Sequence, residues 1–352
     1  MLALSLITAA IAGKDSGAFH RVKTLITAYS GALFVPSDTT CFSDSAGSTP
    51  AVQDGVVGRI NDLAGSGLYA SQATTGYKPI LRKGAKNLYL NSATLSTQNN
   101  TVSAIPYTVQ HTGTGTITFS GAYVGSLAGA GTITFTPSAG TLTSTVTGTV
   151  SNAMLEIGPT ASPYVATTSS PASNGIGLWW LDFDGTDDRL DLSAVPFQMA
   201  DAHFVSVATK VISASANNTL FSNTNTATGN ANCPLLYLSN TSAYPNVLYS
   251  DDTPTNKYSF HTVSAIGQDK VISAKRLVST NTQYFRINGS IVDSDFQSFG
   301  SATLDQAKIG AWRTAVFLTG RIYGIALGKD AITDAELLTI ERYLGSLAGV
   351  TI

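Results

Sequence analysis

Five aspartates crowd one short stretch, Asp182, Asp184, Asp187, Asp188 and Asp191, the densest group of chemically competent side chains in the 352-residue chain. In an extended strand Asp182 and Asp184 share one face, with Leu181 and Phe183 on the other. Three readings are open. Asp184-Gly185 and Asp187-Asp188 shape a turn; or Asp184, Asp187 and Asp188 offer carboxylate oxygens to calcium; or an aspartate pair performs acid-base chemistry. Glutamate offers less. The chain has three, Glu156, Glu336 and Glu341, far apart in sequence, so the paired glutamates with which many glycosidases flank the scissile bond are absent.

A second group runs from Asn217 to Asn256, where nine Asn are interleaved with Tyr237, Tyr244, Tyr249 and the Asp251-Asp252 pair. Planar amides and carboxylates bind sugar hydroxyls, and aromatic faces stack on the apolar side of a pyranose. Asn230, Tyr237, Asn240, Tyr244, Tyr249, Asp251 and Asp252 are the candidate glycan-binding residues of this stretch. The same residue types also build solvated turns between strands. Trp179, Trp180 and Trp312 read as packing rather than as sugar platforms. His20, His111, His203 and His261 are isolated and lack zinc spacing, and Cys41 and Cys233 follow no metal or redox spacing and read as free thiols. No Gly-x-Ser-x-Gly elbow and no phosphate-cradling loop occurs. No catalytic residue is therefore assigned, no cofactor beyond calcium is expected, and the chain reads as non-enzymatic.

The elements that must position these groups are mostly strands. Charged residues make up 12% of the chain and hydrophobic ones 43%, with 32 glycines and many Ser and Thr, a composition of short strands and turns. The formal charge of −2, with no basic run longer than Arg82-Lys83, leaves no footprint for nucleic acid. MLALSLITAAIA at the N-terminus is apolar but lacks a basic flank, and no stretch approaches the roughly 20 apolar residues of a membrane span.

Between Asn87 and Ala172 the only charged side chain is Glu156, which marks an insertion. The expected division is an N-terminal helical arm at 1–31, a discontinuous sandwich at 32–84 and 174–352, and an inserted jelly-roll module at 85–173. Within the insert, Gly-Thr-Ile-Thr-Phe occurs at 115–119 and again at 131–135, with the strict alternation of half-buried strands. After Gly177 alternating runs recur at 204–211, 235–238, 247–249, 258–263, 271–277, 283–287, 307–311 and 320–327, the spacing of a two-sheet sandwich. Thr333-Asp-Ala-Glu336 is a capping box, and Leu337, Ile340, Leu344 and Leu347 form the stripe of a C-terminal helix ending before Gly349. The arm, with Leu2, Leu6, Val22, Leu25 and Ile26 at helical spacing, either packs on its own domain or docks on a partner.

The run Leu181-Asp-Phe-Asp-Gly-Thr-Asp-Asp-Arg-Leu190, the hairpin Phe285-Arg-Ile-Asn-Gly-Ser-Ile-Val292, and Lys308-Ile-Gly310 leading through 320–327 to AELLTIERYLGSLAGV resemble the concanavalin A-like or laminin-G-like jelly rolls of bacteriophage virion proteins. The resemblance covers about two thirds of the chain, residues 32–82 and 175–352. Within the insert, Tyr107-Thr-Val-Gln-His-Thr-Gly113 and Met154–Tyr164 are similar to the carbohydrate-binding-module-like jelly rolls of phage tails and fibres. It implies an all-β, concanavalin A-like sandwich with an inserted small β-sandwich. It also implies a virion structural protein of tail fibre, baseplate, collar or head decoration, assembled in the bacterial host cytoplasm. The expected partners are other virion proteins through the N-terminal arm, further copies of the chain (a trimer suits multivalent glycan capture), and host-surface polysaccharide. Nucleic acid and membrane insertion are not expected. A purely architectural decoration or adaptor protein is the alternative; a glycan-degrading enzyme would need two convergent carboxylates.

Overall fold

The computed structural model describes residues 17–159, 161–173, 178–213, 218–226, 235–238, 245–250, 256–260, 265–296 and 303–352. The chain divides into two compact units, residues 1–82 with 178–352, and residues 83–177.

The discontinuous unit is a sandwich of two large antiparallel sheets. The eight-stranded sheet runs in the order Ser290–Phe296, Thr282–Ile287, Asp269–Leu277, His203–Val211, Thr319–Lys329, Trp179–Asp184 and Ile80–Lys83, with Ala32–Phe34 also on Thr319–Lys329. The nine-stranded sheet runs Cys41–Phe42, Arg59–Asn61, Tyr69–Ser71, Leu190–Leu192, Gln306–Ile309, Asn218–Thr224, Leu235–Leu238, Pro245–Ser250 and Asn256–Phe260. Alternation sends Val205, Val207, Ile272, Ala274, Phe285 and Ile287 inward to meet Phe221, Leu236 and Ile309 in the main core.

The other face of the eight-stranded sheet carries Phe204, Ala208, Val271 and Tyr323, and two helices cover it. Helix Asp334–Ala348 starts at the expected capping box, in which the Glu336 amide donates to Thr333 Oγ1 at 3.3 Å and the Thr333 amide to Glu336 Oε2 at 3.1 Å. It stops at Gly349, whose φ of 71° is the left-handed cap that favours glycine. Leu337, Ile340 and Leu344 are wholly buried. Helix Gly17–Ala28 buries Phe19, Val22 and Ile26 in the same cluster, and the Tyr29 hydroxyl donates to Glu336 Oε2 at 2.8 Å. The apolar face of the arm is thus used on its own unit over these residues. This is the first of the two readings of the arm, for Gly17–Ala28; residues 1–16, with Leu2 and Leu6, lie outside the described residues.

Ion pairs hold the C-terminal helix to the sheet. Arg286 donates through Nε to Glu341 Oε1 and through Nη2 to Glu341 Oε2, each at 2.9 Å, with Glu341 wholly buried. Arg286 also reaches Asp334 at 3.2 Å and the Gly289 carbonyl at 2.7 Å, and Lys275 reaches Asp334 at 2.7 Å. The Asn288-Gly289 turn, with φ of 47° and 81°, is the hairpin that the sequence signals.

The inserted unit has a four-stranded sheet (Gly125–Ala128, Thr116–Gly121, Gly140–Thr147, Gln98–Val102) and a three-stranded one (Gly131–Phe135, Tyr107–Thr112, Ser151–Ile157). Tyr89, Val109, Ile117, Phe119, Leu142 and Leu155 fill its core. Asn87 is wholly buried and its side chain makes four hydrogen bonds, donating to the Ala153 and Val165 carbonyls and accepting from the Tyr89 and Leu155 amides. One amide thereby ties the start of the insert to its end.

Glu341→Ala leaves the Arg286 guanidinium buried without its carboxylate, and such a break costs about 3 to 5 kcal/mol. Urea unfolding is expected to show this loss, and the paired change Arg286→Met with Glu341→Leu to recover most of it; a loss below about 1 kcal/mol, the scale of an exposed ion pair, would contradict the clamp.

Candidate functional site

The aspartate cluster is built on the turn after strand Trp179–Asp184. Gly185 has φ of 82°, and a Cβ there would lie 1.9 Å from Thr319 Oγ1, so only glycine fits. The Thr186 amide donates to Asp184 Oδ1 at 2.8 Å and the Asp184 amide to Asp188 Oδ2 at 3.0 Å. These bonds realise the turn. They also draw Asp184, Asp187 and Asp188 together, with one carboxylate oxygen of each within 4.8 Å of the others. Burial pushes the Asp188 carboxyl up to about 6; the Asp184 amide opposes this, and the charges of Asp184, Asp187 and Asp182 add to it. Hard oxygens and concentrated negative charge are the donor set calcium takes, so these residues fit the ion.

The other two aspartates do not join them. Asp182 lies 3.5 Å from Arg82 Nε and pairs across the ladder with Arg321. Burial raises its pKa, while Arg321 and Arg82 oppose the rise. Asp191 forms an ion pair with Lys308. Each glutamate also has a structural role. Glu156, buried, accepts from the Ser162 amide at 2.7 Å, Glu336 closes the helix cap, and Glu341 holds Arg286.

The described residues of the Asn217 to Asn256 stretch lie mostly in strands. Asn218 and Asn223 are buried in strand Asn218–Thr224, and three more strands follow it as a meander. Register places Ser222 opposite Leu235 and Leu235 opposite Leu248, while Leu238 faces Pro245. The strand ends at Thr224, Leu235, Ser250 and Asn256 therefore lie at one end of the sheet, and Leu238 and Pro245 at the other. Tyr249 belongs to the first end, and Tyr237, opposite Thr219 and Asn246, lies toward the second. Asn230, Asn240, Tyr244, Asp251 and Asp252 lie outside the described residues, as do Cys233 and His261. Trp180 is wholly buried and Trp179 packs against the main core, so neither is a platform. Cys41 is buried and free, its thiol pushed up to about 12 by burial.

Sequence reasoning missed a polar row on the inner face of the sandwich. His203, Arg276 and Gln283 are cross-strand neighbours on adjacent strands, 1%, 3% and 0% exposed. The His203 ring stacks on Phe197, with centroids 4.0 Å apart and planes 6° apart. Asn223, from the facing sheet, donates to the Phe197 carbonyl at 2.8 Å. The available signal was a polar residue continuing an apolar alternation: His203 before Val205 and Val207, Arg276 after Ala274, Gln283 before Phe285. Only strand pairing makes the three neighbours. His203 Nδ1 lies 3.0 Å from the Asp201 carbonyl, which can only accept, so Nδ1 carries the proton. Burial, with the Arg276 charge adding, lowers its pKa to about 3.

No family model and no curated protein matches the chain. Among solved structures it is similar to the Ruminococcus gnavus IT-sialidase CBM40 bound to α2,3-sialyllactose, at 17% identity and a TM-score of 0.36, over 40% of this chain and 83% of that one. It is also similar to the Streptococcus pneumoniae NanB sialidase, at 17% identity and a TM-score of 0.36, over 45% of this chain and 27% of that one. The leech intramolecular trans-sialidase matches at 17% identity and a TM-score of 0.35, over 40% and 23%. The chain thus spans about a quarter of the length of either sialidase. Likeness of this degree assigns neither a ligand nor a family.

Two outcomes are expected. Millimolar calcium raises the melting temperature of the wild-type protein and leaves Asp187→Asn unmoved; equal curves for both proteins would leave the turn as the sole role of the cluster. His203, with a folded pKa depressed from the usual 6.5 or so, contributes stability that is present above that value and is lost as pH falls toward 3. Measured by urea midpoint, wild type is expected to lose stability relative to His203→Asn between pH 7 and pH 4, and a pH-independent difference would refute the neutral buried ring.

Proposed function

We propose that the chain is a non-enzymatic, glycan-binding sandwich of a bacteriophage particle, which contacts host-surface polysaccharide through one end of its discontinuous unit. The observation that carries the glycan reading is the set of buried amides at that end. Among the described residues Gln283 Nε2 and Oε1 and Asn223 Oδ1 find no hydrogen-bond partner. Buried amides that lack partners are costly, and hydroxyl-rich ligands supply both donors and acceptors. The strand ends at Thr224, Leu235, Ser250 and Asn256, from the stretch rich in Asn, Tyr and Asp, converge on the same end.

The non-enzymatic part is supported by the roles of the carboxylates. The three glutamates are held in a cap, an ion pair and a loop bond, and Asp182 and Asp191 face cations. A hydrolase would instead leave two carboxyl groups facing a bond, about 5 to 10 Å apart. The virion part rests on the sequence resemblance of residues 32–82 and 175–352. Oligomeric presentation belongs to the same proposal, since several weak sites on one particle gain avidity without any new contact.

Purified protein is expected to bind intact bacterial host cells saturably and to lose that binding when surface polysaccharide is stripped. Absence of binding, even with the protein multimerised on beads, would overturn the receptor role. Antibody against the protein is expected to label particles in electron micrographs, and unlabelled particles would overturn the virion assignment.

A further inference from the structure

Trp179 and Trp180 share a strand of the eight-stranded sheet, whereas Trp312 sits on a separate two-stranded hairpin. After Gly310 the chain turns back along strand Asn218–Thr224. The Gly310 amide donates to the Leu220 carbonyl at 3.1 Å, Ser222 Oγ to the Ala311 carbonyl at 2.7 Å, and Arg313 Nη2 to the Asn225 carbonyl at 3.2 Å. Ala311–Trp312 then pairs with Val316–Phe317, Trp312 opposite Val316. Arg313 thereby lies beside Thr224, at the end of the sheet that also holds Leu235, Ser250 and Asn256.

Folding alone does not call for these residues. Arg313 has φ of 58°, in the left-handed region that crowds a Cβ against the backbone. Every other described non-glycine residue with positive φ is Asn, Asp or Ser, whose short polar side chains bond locally; Arg313 has no such compensation. Among the described residues, Arg313 Nε and Trp312 Nε1 are buried without a hydrogen-bond partner, whereas a glycine and a phenylalanine would bury no such donors. Strain of this kind persists where the side chain is used. Trp312 and Arg313 are only half-buried, and Thr314 and Ala315 at the turn are exposed. The guanidinium carbon lies 5.8 Å from the Trp312 ring centroid, so an aromatic ring and a cation with several donors stand side by side.

We propose that Trp312 and Arg313 are the point at which the discontinuous unit contacts a pyranose ring, with the apolar face of the sugar on the partly exposed indole and its hydroxyls on the Arg313 donors not given to Asn225. The proposal rests on the glycan-binding reading above and names its substrate class, a polysaccharide of closed pyranose rings. No cavity is required, because an aromatic platform takes a sugar ring on its surface.

The full chain is titrated with polysaccharide released from host cells, before and after periodate oxidation, which cleaves vicinal diols and so opens pyranose rings. Calorimetry is expected to show binding of the intact polymer and its loss after oxidation. Trp312→Ala is expected to weaken binding of the intact polymer about tenfold or more, the effect of truncating an aromatic anchor. Arg313→Gly, at a φ where glycine is unstrained, is expected to melt no lower than wild type and to weaken binding as well; it keeps the test decisive if Trp312→Ala does not fold. Equal binding by wild type and either folded variant, or of intact and oxidised polymer, overturns the platform and leaves the glycan reading standing. Binding to host cells without binding to the released polymer also overturns the platform. Wild type that binds neither cells nor polymer overturns both readings.

Discussion

The eight-stranded sheet must be covered on both faces, and the arrangement of the discontinuous unit depends on how its outer face is closed. Phe204, Ala208, Val271 and Tyr323 would face water without the two helices. The bidentate bond of Arg286 to the wholly buried Glu341 ties the longer helix to the strands. Two ionised groups are desolvated here, which is tolerable because the guanidinium and carboxylate satisfy one another and the Gly289 carbonyl takes a further donor. Asp334 then joins Arg286 and Lys275, and the helix cap ties Thr333, Glu336 and Tyr29 into the same region.

The strands that carry this clamp also carry the polar row on their other face. Lys275 and Arg286 point to the helix, while Arg276 and Gln283, one position from Lys275 and Tyr284, point between the sheets. A sheet pinned on its outer face can hold inward polar groups in fixed positions, as a binding site requires. Gln283 and Asn223, whose amides lack a full set of partners among the described residues, are costlier to bury there than apolar side chains.

The inserted unit solves a different problem with few charges. Glu156 is buried and used locally, so the unit meets solvent with Thr, Ser and Asn. Thr118, Thr145 and Ser126 are cross-strand neighbours on the exposed face of its four-stranded sheet. Its core is held by aromatic and β-branched side chains, and its start and end by the four bonds of Asn87.

The parts legible in the sequence were the local ones. The capping box, the Asn288-Gly289 hairpin, the all-β class and the aspartate turn each depend on residues within a few positions of one another, where covalent connection already brings the groups together. The strand Asn218–Thr224 was missed because residue type alone does not separate a turn from a buried strand: Asn218 and Asn223 are buried by their neighbours in space. Tertiary structure alone decided that Asp182 faces Arg82, that Asp191 faces Lys308, and that Arg286 meets Glu341 across 55 positions. It alone brought His203, Arg276, Gln283 and Asn223 to one end of the sandwich. Alternation fixes which face a side chain takes, but register, which depends on how whole strands pair, fixes its neighbours.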